Sequence, residues 1–167
     1  DRELACKKDL AGKKIVVTAG ATSEPMDPVR YITNHSTGKM GYAIARACML
    51  RGAQVTLLSA QTALRPVPFV DMVPFTTAQD LFEKVQKYSA QADALVMAAA
   101  VADYRPAQVA DHKIKKSDGE LTLQLERTQD ILGWIGAHKP TGLFVCGFSM
   151  ETEHLLENSS VKLHKKN

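Results

Sequence analysis

The sequence predicts an α/β fold, in which a mostly parallel sheet is covered by helices on both faces. Short apolar runs alternate along the chain with longer segments whose apolar residues recur at helical spacing. Several of the runs, such as Ile15-Val16-Val17, are apolar at every position, which is typical of strands buried on both faces. A chain of 167 residues is long enough for one such domain.

The first half of the chain begins with a predicted strand at Lys14–Thr18. A helix is predicted at Lys39–Arg51, because its apolar residues recur at helical spacing and Gly52 is a favoured residue after a helix end. The second strand is predicted at Gln54–Ser59, and the following segment, Gln61–Phe69, contains two prolines and is interpreted as a loop.

The third strand is predicted at Val70–Phe75, towards a sheet edge because it contains a proline. Thr77 is a good N-cap for a helix at Ala78–Gln91, whose apolar stripe consists of Leu81, Val85 and Tyr88.

In the second half, the apolar run Asp93–Met97 predicts a fourth strand, and Leu143–Gly147 a fifth. Leu121–Leu125 alternates apolar and polar residues, which indicates a half-exposed strand. Helices are predicted at Asp130–Ala137 and, more weakly, at Glu151–Ser160. Together these elements predict a Rossmann-like fold.

Composition narrows the possible functions. The net charge of +3 slightly favours a small anionic ligand and gives no reason to expect nucleic acid. No apolar run approaches the 18 or so residues of a membrane span, and we expect no membrane partner. Cys6, Cys48 and Cys146 show neither metal-binding nor disulfide spacing, so we predict a cytoplasmic protein.

The segment from Thr18 to Gly41 is the most informative part of the chain. It joins the first strand to the first helix through a polar loop of about twenty residues, and loops of that length in a compact domain are commonly binding loops. Gly38-Lys39 is followed by Met40, and Thr33 stands where a Walker A loop needs glycine. Gly20 is followed by Ala21 and Thr22, so the dinucleotide fingerprint Gly-x-Gly-x-x-Gly is also absent.

Two further loops follow strand ends: Ala98–Arg105 after the fourth strand and Gly147–Thr152 after the fifth. Because the carboxyl ends of parallel strands line one edge of a sheet, we expect these loops and the long loop to converge on one crevice. Small residues there would let a ligand approach the backbone, although they could also simply allow close packing of a helix.

Four polar residues near these loops are candidates for chemistry. Asp103 could hold Mg²⁺ against phosphate oxygens, or serve as a helix cap or turn residue. Lys113 belongs to a basic run that could reach a polyphosphate or form a solvated face. Arg30 suits a phosphate or carboxylate, and Asn34 could orient an acyl group or stabilise a turn. Asp27, His35 and the remaining histidines are interpreted as loop or surface residues.

The motifs together resemble phosphopantothenoylcysteine synthetase, the ligase domain of the bifunctional bacterial enzyme of coenzyme A biosynthesis. The resemblance rests on the 18–41 segment and on weaker matches at 10–14, 98–105, 113–116, 147–152 and 162–166. It implies that the chain joins 4′-phosphopantothenate to cysteine. In that reaction CTP first activates the phosphopantothenate carboxylate as an acyl-cytidylate, and the cysteine amine then attacks it.

The resemblance also implies roles for individual residues. Asn34 and Lys113 are the predicted catalytic residues, and Arg30 and Asn34 are predicted to bind the substrate. Asp103 is predicted to hold Mg²⁺ (or Mn²⁺) as well as the nucleotide. The other predicted nucleotide-binding residues are Gly20, Ala99, Ala100, Lys113, Phe148, Lys162 and Lys166.

The domain organisation is also an expectation from the resemblance. Residues 1–12 would be a linker from a flavin-dependent decarboxylase fused upstream, so that no flavin binds this domain. Residues 13–167 would be the ligase domain, cut short at its C-terminus and dimeric in the intact protein. A non-catalytic nucleotide-binding module and an NAD(P)-linked Rossmann reductase remain as alternatives.

Overall fold

Nine strands are present in the computed structural model, which describes residues 6–116, 119–150, 153, 157, 160 and 161. In chain order they are β1 (Lys14–Ala19), β2 (Ser23–Pro25), β3 (Tyr31–Thr33), β4 (Gln54–Ser59), β5 (Asp71–Pro74), β6 (Ala94–Met97), β7 (Tyr104–Pro106), β8 (Leu125–Arg127) and β9 (Phe144–Gly147). Five of them form one parallel sheet in the order β5-β4-β1-β6-β9. The chain therefore winds outward from β1 in one direction and from β6 in the other, which places the reversal between these two strands.

Three helices cover both faces of this sheet: α1 (Lys39–Leu50), α2 (Ala78–Ser89) and α3 (Ile131–His138). Val16 of β1 packs into a cluster with α2 and α3, whereas Ile15 and Val17 pack into a second cluster with α1. This alternation follows from the two-residue period of a strand. The predicted Rossmann-like fold, with helices on both faces, is confirmed.

The start of α1 lies directly against the end of β1. A Cβ atom on Gly41 would stand 2.6 Å from the Cβ of Ala19 and 2.6 Å from the carbonyl oxygen of Thr18, so no larger residue fits there. Gly38, the N-cap of α1, has a φ of 74°, a left-handed conformation that glycine adopts without strain. These two glycines explain how the chain turns from the long loop into a closely packed helix.

The irregular segments differ from the sequence predictions. The long loop contains an antiparallel hairpin of β2 and β3, which no periodicity in the sequence indicated. The predicted strand at Leu121–Leu125 is shifted, because the observed strand β8 is Leu125–Arg127 and pairs with β7. Most of the predicted helix at Glu151–Ser160 lies outside the described residues. In the described part of the chain, no helix is both long and apolar enough to span a bilayer.

The opposite edge of the sheet, at the amino ends of the strands, is held by a carboxylate. Asp93 accepts hydrogen bonds from the backbone N–H of Lys14 at 2.8 Å and from Nζ of Lys13 at 2.9 Å. It therefore joins the start of β1 to the start of β6. These interactions favour the ionised form, and the hydrogen bond from Lys14, followed by that from Lys13, lowers the pKa of the carboxyl group.

This pKa shift predicts a pH-dependent contribution to stability. A carboxyl group with a lowered folded-state pKa stabilises the protein above its unfolded pKa of about 3.9, and the effect disappears as pH falls through the folded pKa. We expect Asp93→Asn to lower the midpoint of thermal unfolding at neutral pH. Differential scanning calorimetry from neutral pH into the acid range should show this deficit shrinking. An equal deficit at every pH would contradict the assignment.

Candidate active site

The loops that follow β1 and β6 are joined by backbone hydrogen bonds. Ala21 and Ala100 form an isolated parallel bridge beyond the ends of the two strands. The N–H of Ala100 donates to the carbonyl of Gly20 at 2.8 Å, and the N–H of Thr22 donates to the carbonyl of Ala100 at 3.1 Å. Strand pairing thus continues into the loops, and it fixes the predicted site residues Gly20 and Ala100 next to each other.

Threonine hydroxyls complete this junction. Oγ1 of Thr18 accepts a hydrogen bond from the N–H of Ala99 at 3.0 Å, and Oγ1 of Thr22 accepts one from the N–H of Ala102 at 2.9 Å. Both threonines are fully buried. Thr128 donates its hydroxyl hydrogen to the carbonyl of Ala102 at 2.5 Å. The N–H groups of Ala99, Ala100 and Ala102 thus have partners within the protein, so these bonds hold this part of the loop after β6 without a ligand.

A cavity of about 640 Å³ opens beside this junction. It lies between the loops after β6 and β9 and the first turn of α3. Three of the predicted nucleotide-binding residues line it, namely Ala99, Asp103 and Phe148. Its volume is within the range of small-molecule sites. Arg127, for which the sequence analysis proposed no role, also lines this cavity.

Asn34 connects the long loop to the wall of the first cavity. Its side-chain Nδ2 donates a hydrogen bond to the carbonyl of Val101 at 3.1 Å, and Val101 is one of the lining residues. Asn34, Asp103 and Phe148 are therefore gathered at one edge of the sheet, as the convergence of the three loops requires. Their individual roles stay predictions.

A second cavity, of about 520 Å³, lies between the long loop and the ends of β4 and β5. Arg30 lines it together with Ala21 and Thr76. The guanidinium group is already bound to Asp27: Nε lies 2.9 Å and Nη2 lies 2.5 Å from the same carboxylate oxygen, Oδ2. Nη2 also donates to the carbonyl of Ile114 at 2.8 Å. Since 40% of the Arg30 side chain remains exposed, it can still present positive charge to the second cavity.

Two buried carboxylates were missed by the sequence analysis. Asp27 is 2% exposed, and the Arg30 guanidinium beside it holds the pKa of its carboxyl group well below the usual range. Glu24 is 1% exposed, and it accepts a hydrogen bond from the N–H of Ala78 at the start of α2. In the order Asp-Pro-Val-Arg, the aspartate side chain can accept hydrogen bonds from the backbone of the residues that follow it in a turn. This turn pattern is the local signal that could have identified Asp27.

The other predicted residues lie near the edge or outside the described part of the chain. Lys113 is exposed and directly precedes Ile114, which contacts both Asp27 and Arg30. Lys162 and Lys166 lie outside the described residues. Their roles stay predictions.

The side chains around the first cavity suit a metal ion that binds together with a nucleotide. Among the described residues, no three His, Cys, Asp or Glu side chains come together as a metal cluster. Asp103 is exposed, lines the first cavity, and has no side-chain hydrogen bond or ion pair with a described residue. Mg²⁺ in nucleotide sites commonly takes one or two carboxylates and completes its coordination with phosphate oxygens and water. Asp130 also lines this cavity, and Asp103, whose carboxylate has no described side-chain partner, fits a nucleotide-bound Mg²⁺.

Comparison with known proteins identifies the family. Residues 10–167 match the model of the DNA/pantothenate metabolism flavoprotein C-terminal domain. The chain belongs to this family. The coenzyme A biosynthesis bifunctional protein CoaBC of Mycobacterium tuberculosis is 45% identical over 99% of the chain, and that of Bacillus subtilis is 45% identical over 95%. The chain spans 42% and 39% of the length of these two relatives.

Solved structures of similar proteins have the same fold. The C-terminal domain of a CoaBC protein has a TM-score of 0.83 at 44% identity, covering 95% of this chain and 74% of that one. The family protein from Streptococcus pneumoniae gives 0.80 at 29% identity, with 93% and 79% covered. A Cab2 mutant in complex with phosphopantothenate-cysteine gives 0.82 at 20% identity, covering 93% and 70%, a likeness of fold alone.

The threonine junction provides a test of the site architecture. Thr18→Val keeps the shape of the side chain but leaves the N–H of Ala99 without its acceptor, so we expect a loss of about 1–3 kcal/mol in unfolding free energy. Thr56→Val is the matched control, since the Thr56 side chain makes no hydrogen bond with a described residue and should change stability by less than about 0.5 kcal/mol. Urea denaturation of both variants measures the difference, and equal losses would contradict the role of Thr18.

Proposed function

We propose that this chain is a ligase domain that joins 4′-phosphopantothenate to cysteine in coenzyme A biosynthesis, with CTP as the activating nucleotide. The proposal rests on membership of the flavoprotein C-terminal domain family and on relatives named for coenzyme A biosynthesis. The observation that carries it is the meeting of the loops after β1, β6 and β9 beside the 640 Å³ cavity. In open α/β sheets, ligands bind at this carboxyl edge, at the point where the strand order reverses.

Activation of a carboxylate by a nucleoside triphosphate requires charge neutralisation. Two anions must approach each other, and pyrophosphate must leave with its negative charge stabilised. In our proposal the ammonium of Lys113 supplies positive charge from a segment beside the site, and Asp103 holds a nucleotide-bound Mg²⁺ (or Mn²⁺). The metal, when bound, neutralises phosphate charge and orients the triphosphate. Ala99 and Phe148 line the nucleotide cavity, Gly20 and Ala100 belong to the backbone junction beside it, and Lys162 and Lys166 add phosphate contacts.

The second half of the reaction requires orientation rather than charge. The cysteine amine attacks the activated acyl carbon of the cytidylate, and the carbonyl oxygen becomes negative as the tetrahedral species forms. The tetrahedral species then collapses to the amide as CMP leaves and the amine gives up a proton. Asn34, fixed through Val101 at the border of the first cavity, offers an uncharged amide for this acyl group. Arg30, whose side chain is partly exposed, presents positive charge to the anionic substrate from the side of the second cavity.

The proposal extends to the assembly. We infer that the intact protein is a dimer, and that a flavin-dependent decarboxylase domain precedes this one and carries the flavin. A protein fusing the two activities would pass the cysteine adduct from the ligase to the decarboxylase. The fused domain is inferred from the bifunctional names of the relatives and from the fraction of their length that the chain spans, and the dimer from the resemblance to the synthetase family.

The proposed activity is tested with the purified protein, Mg²⁺ and 4′-phosphopantothenate. We expect pyrophosphate release that depends on both CTP and 4′-phosphopantothenate, and phosphopantothenoylcysteine only when cysteine is added. Binding of CTP without pyrophosphate release would instead indicate a non-catalytic nucleotide-binding module. Tight binding of NADH, with no reaction of CTP, would support a reductase.

Within this assay, Lys113→Gln tests the source of positive charge. We expect pyrophosphate release to slow at least tenfold, a loss of roughly 1.4 kcal/mol in transition-state stabilisation. Lys116→Gln removes an equal charge from the same exposed segment and is the matched control, for which we expect a smaller effect. Equal losses in both variants would indicate general attraction of the nucleotide rather than a specific role of Lys113.

A further inference from the structure

Asp27 is the centre of a buried hydrogen-bond network in the long loop. Its carboxylate accepts five hydrogen bonds from described residues. Oδ1 accepts from the N–H groups of Val29 and Arg30, both at 2.8 Å. Oδ2 accepts from Nε and Nη2 of Arg30 and from the N–H of Ile114 at 3.1 Å. The bond from Ile114 joins two residues that are 87 positions apart in the sequence.

The segment that carries Lys113 is bound to the long loop on both sides of that lysine. On one side, the N–H of Ala110 donates to the carbonyl of Met26 at 3.0 Å. On the other, Ile114 donates its N–H to Asp27 and accepts from Arg30 through its carbonyl. Adjacent Cα atoms are separated by a fixed distance of about 3.8 Å. Fixing Ile114 therefore restricts where the backbone of Lys113 can lie.

We propose that Asp27 is a positioning residue, which holds the Lys113 segment against the long loop so that the lysine meets the polyphosphate in one place. The inference rests on the proposed function and adds to it a residue to which that function gave no role. The ammonium of Lys113 lies at the end of a flexible four-carbon side chain, so its backbone position decides how often it reaches a given phosphate. Misplacement of a catalytic group by about 1 Å is sufficient to slow a reaction about a hundredfold.

Only a carboxylate can accept this set of bonds. Both oxygens of Asp27 are acceptors, whereas an asparagine in its place would present one acceptor and one NH₂ donor. The amide oxygen of that asparagine could still accept from the two nearby N–H groups of the turn. Its NH₂ group would face the donors of Arg30 and Ile114, and the connection to the Lys113 segment would be lost. Asp27→Asn therefore keeps the hydrogen bonds of the turn and removes the connection to the Lys113 segment.

The experiment compares Asp27→Asn with Asp93→Asn, a matched control that also removes a carboxylate bound to a backbone N–H and a basic side chain. Asp93 lies at the amino edge of the sheet, away from the site. Limited trypsin digestion, followed by mass spectrometry, measures cleavage after Lys113, Lys115 and Lys116. We expect Asp27→Asn to accelerate cleavage there at least about fivefold, because the segment opens locally. In Asp93→Asn the rate should stay near that of the wild type.

The rate of pyrophosphate release in single and double variants distinguishes positioning of Lys113 from a purely structural role of Asp27. We expect Asp27→Asn to lower kcat by about tenfold or more, and to have less than about a twofold further effect when Lys113→Gln is already present. Additive losses in the double variant would overturn the proposal, since Asp27 would then act independently of Lys113. Unchanged cleavage in Asp27→Asn would overturn it as well.

Hydrogen exchange of the wild-type protein keeps the proposal testable if Asp27→Asn fails to fold. We expect the amide of Ile114 to be protected while that of Lys115 exchanges freely, and equal exchange would refute the anchor. If the wild type releases no pyrophosphate, the proposed function fails. The protease and exchange results would still decide whether Asp27 anchors the segment.

Discussion

The pairing of β1 with β6 is the interaction on which the candidate site depends. The two strands lie on either side of the point where the sheet reverses its winding, and their pairing continues beyond the strand ends through Ala21 and Ala100. Buried threonine hydroxyls then satisfy the N–H groups of the next residues. Two loops that would otherwise separate at the reversal point are held as one surface, with a cavity on each side.

Charge reinforces the sheet at both edges, with different consequences. At the amino edge, the partly exposed Asp93 joins the starts of β1 and β6, and the effect is on stability. At the carboxyl edge, the buried Asp27 has its partners arranged around it, and the loss of any one would leave part of a buried charge without compensation. A buried carboxylate fixes loop geometry more strictly than an exposed one, because no water can replace a missing donor.

Regular structure was predictable from the sequence because its causes are local. Apolar runs predicted β1, β4, β6 and β9 to within one residue at each end, and the N-cap Thr77 correctly placed the start of α2. The β2–β3 hairpin and the β7–β8 pair were not predicted, since three-residue strands leave too short a pattern to recognise. Asp27 was missed for a different reason. Its decisive partner, Ile114, lies 87 positions away and offers only a backbone N–H, which every residue except proline possesses.

Two cavities beside one rigid junction suit a reaction that joins two molecules. Under the proposed function the nucleotide occupies the cavity of Asp103, and the anionic substrate approaches from the cavity of Arg30. The activated carboxylate must then lie at the border between them, where the long loop carries Asn34 across to Val101. Asp27 stabilises this same loop and the Lys113 segment together, so the groups proposed for charge neutralisation and for acyl orientation share one buried support. If one loop serves both half-reactions of the proposed ligase, it must stay rigid, and the buried carboxylate of Asp27 supplies that rigidity to a segment that is otherwise turn and short hairpin.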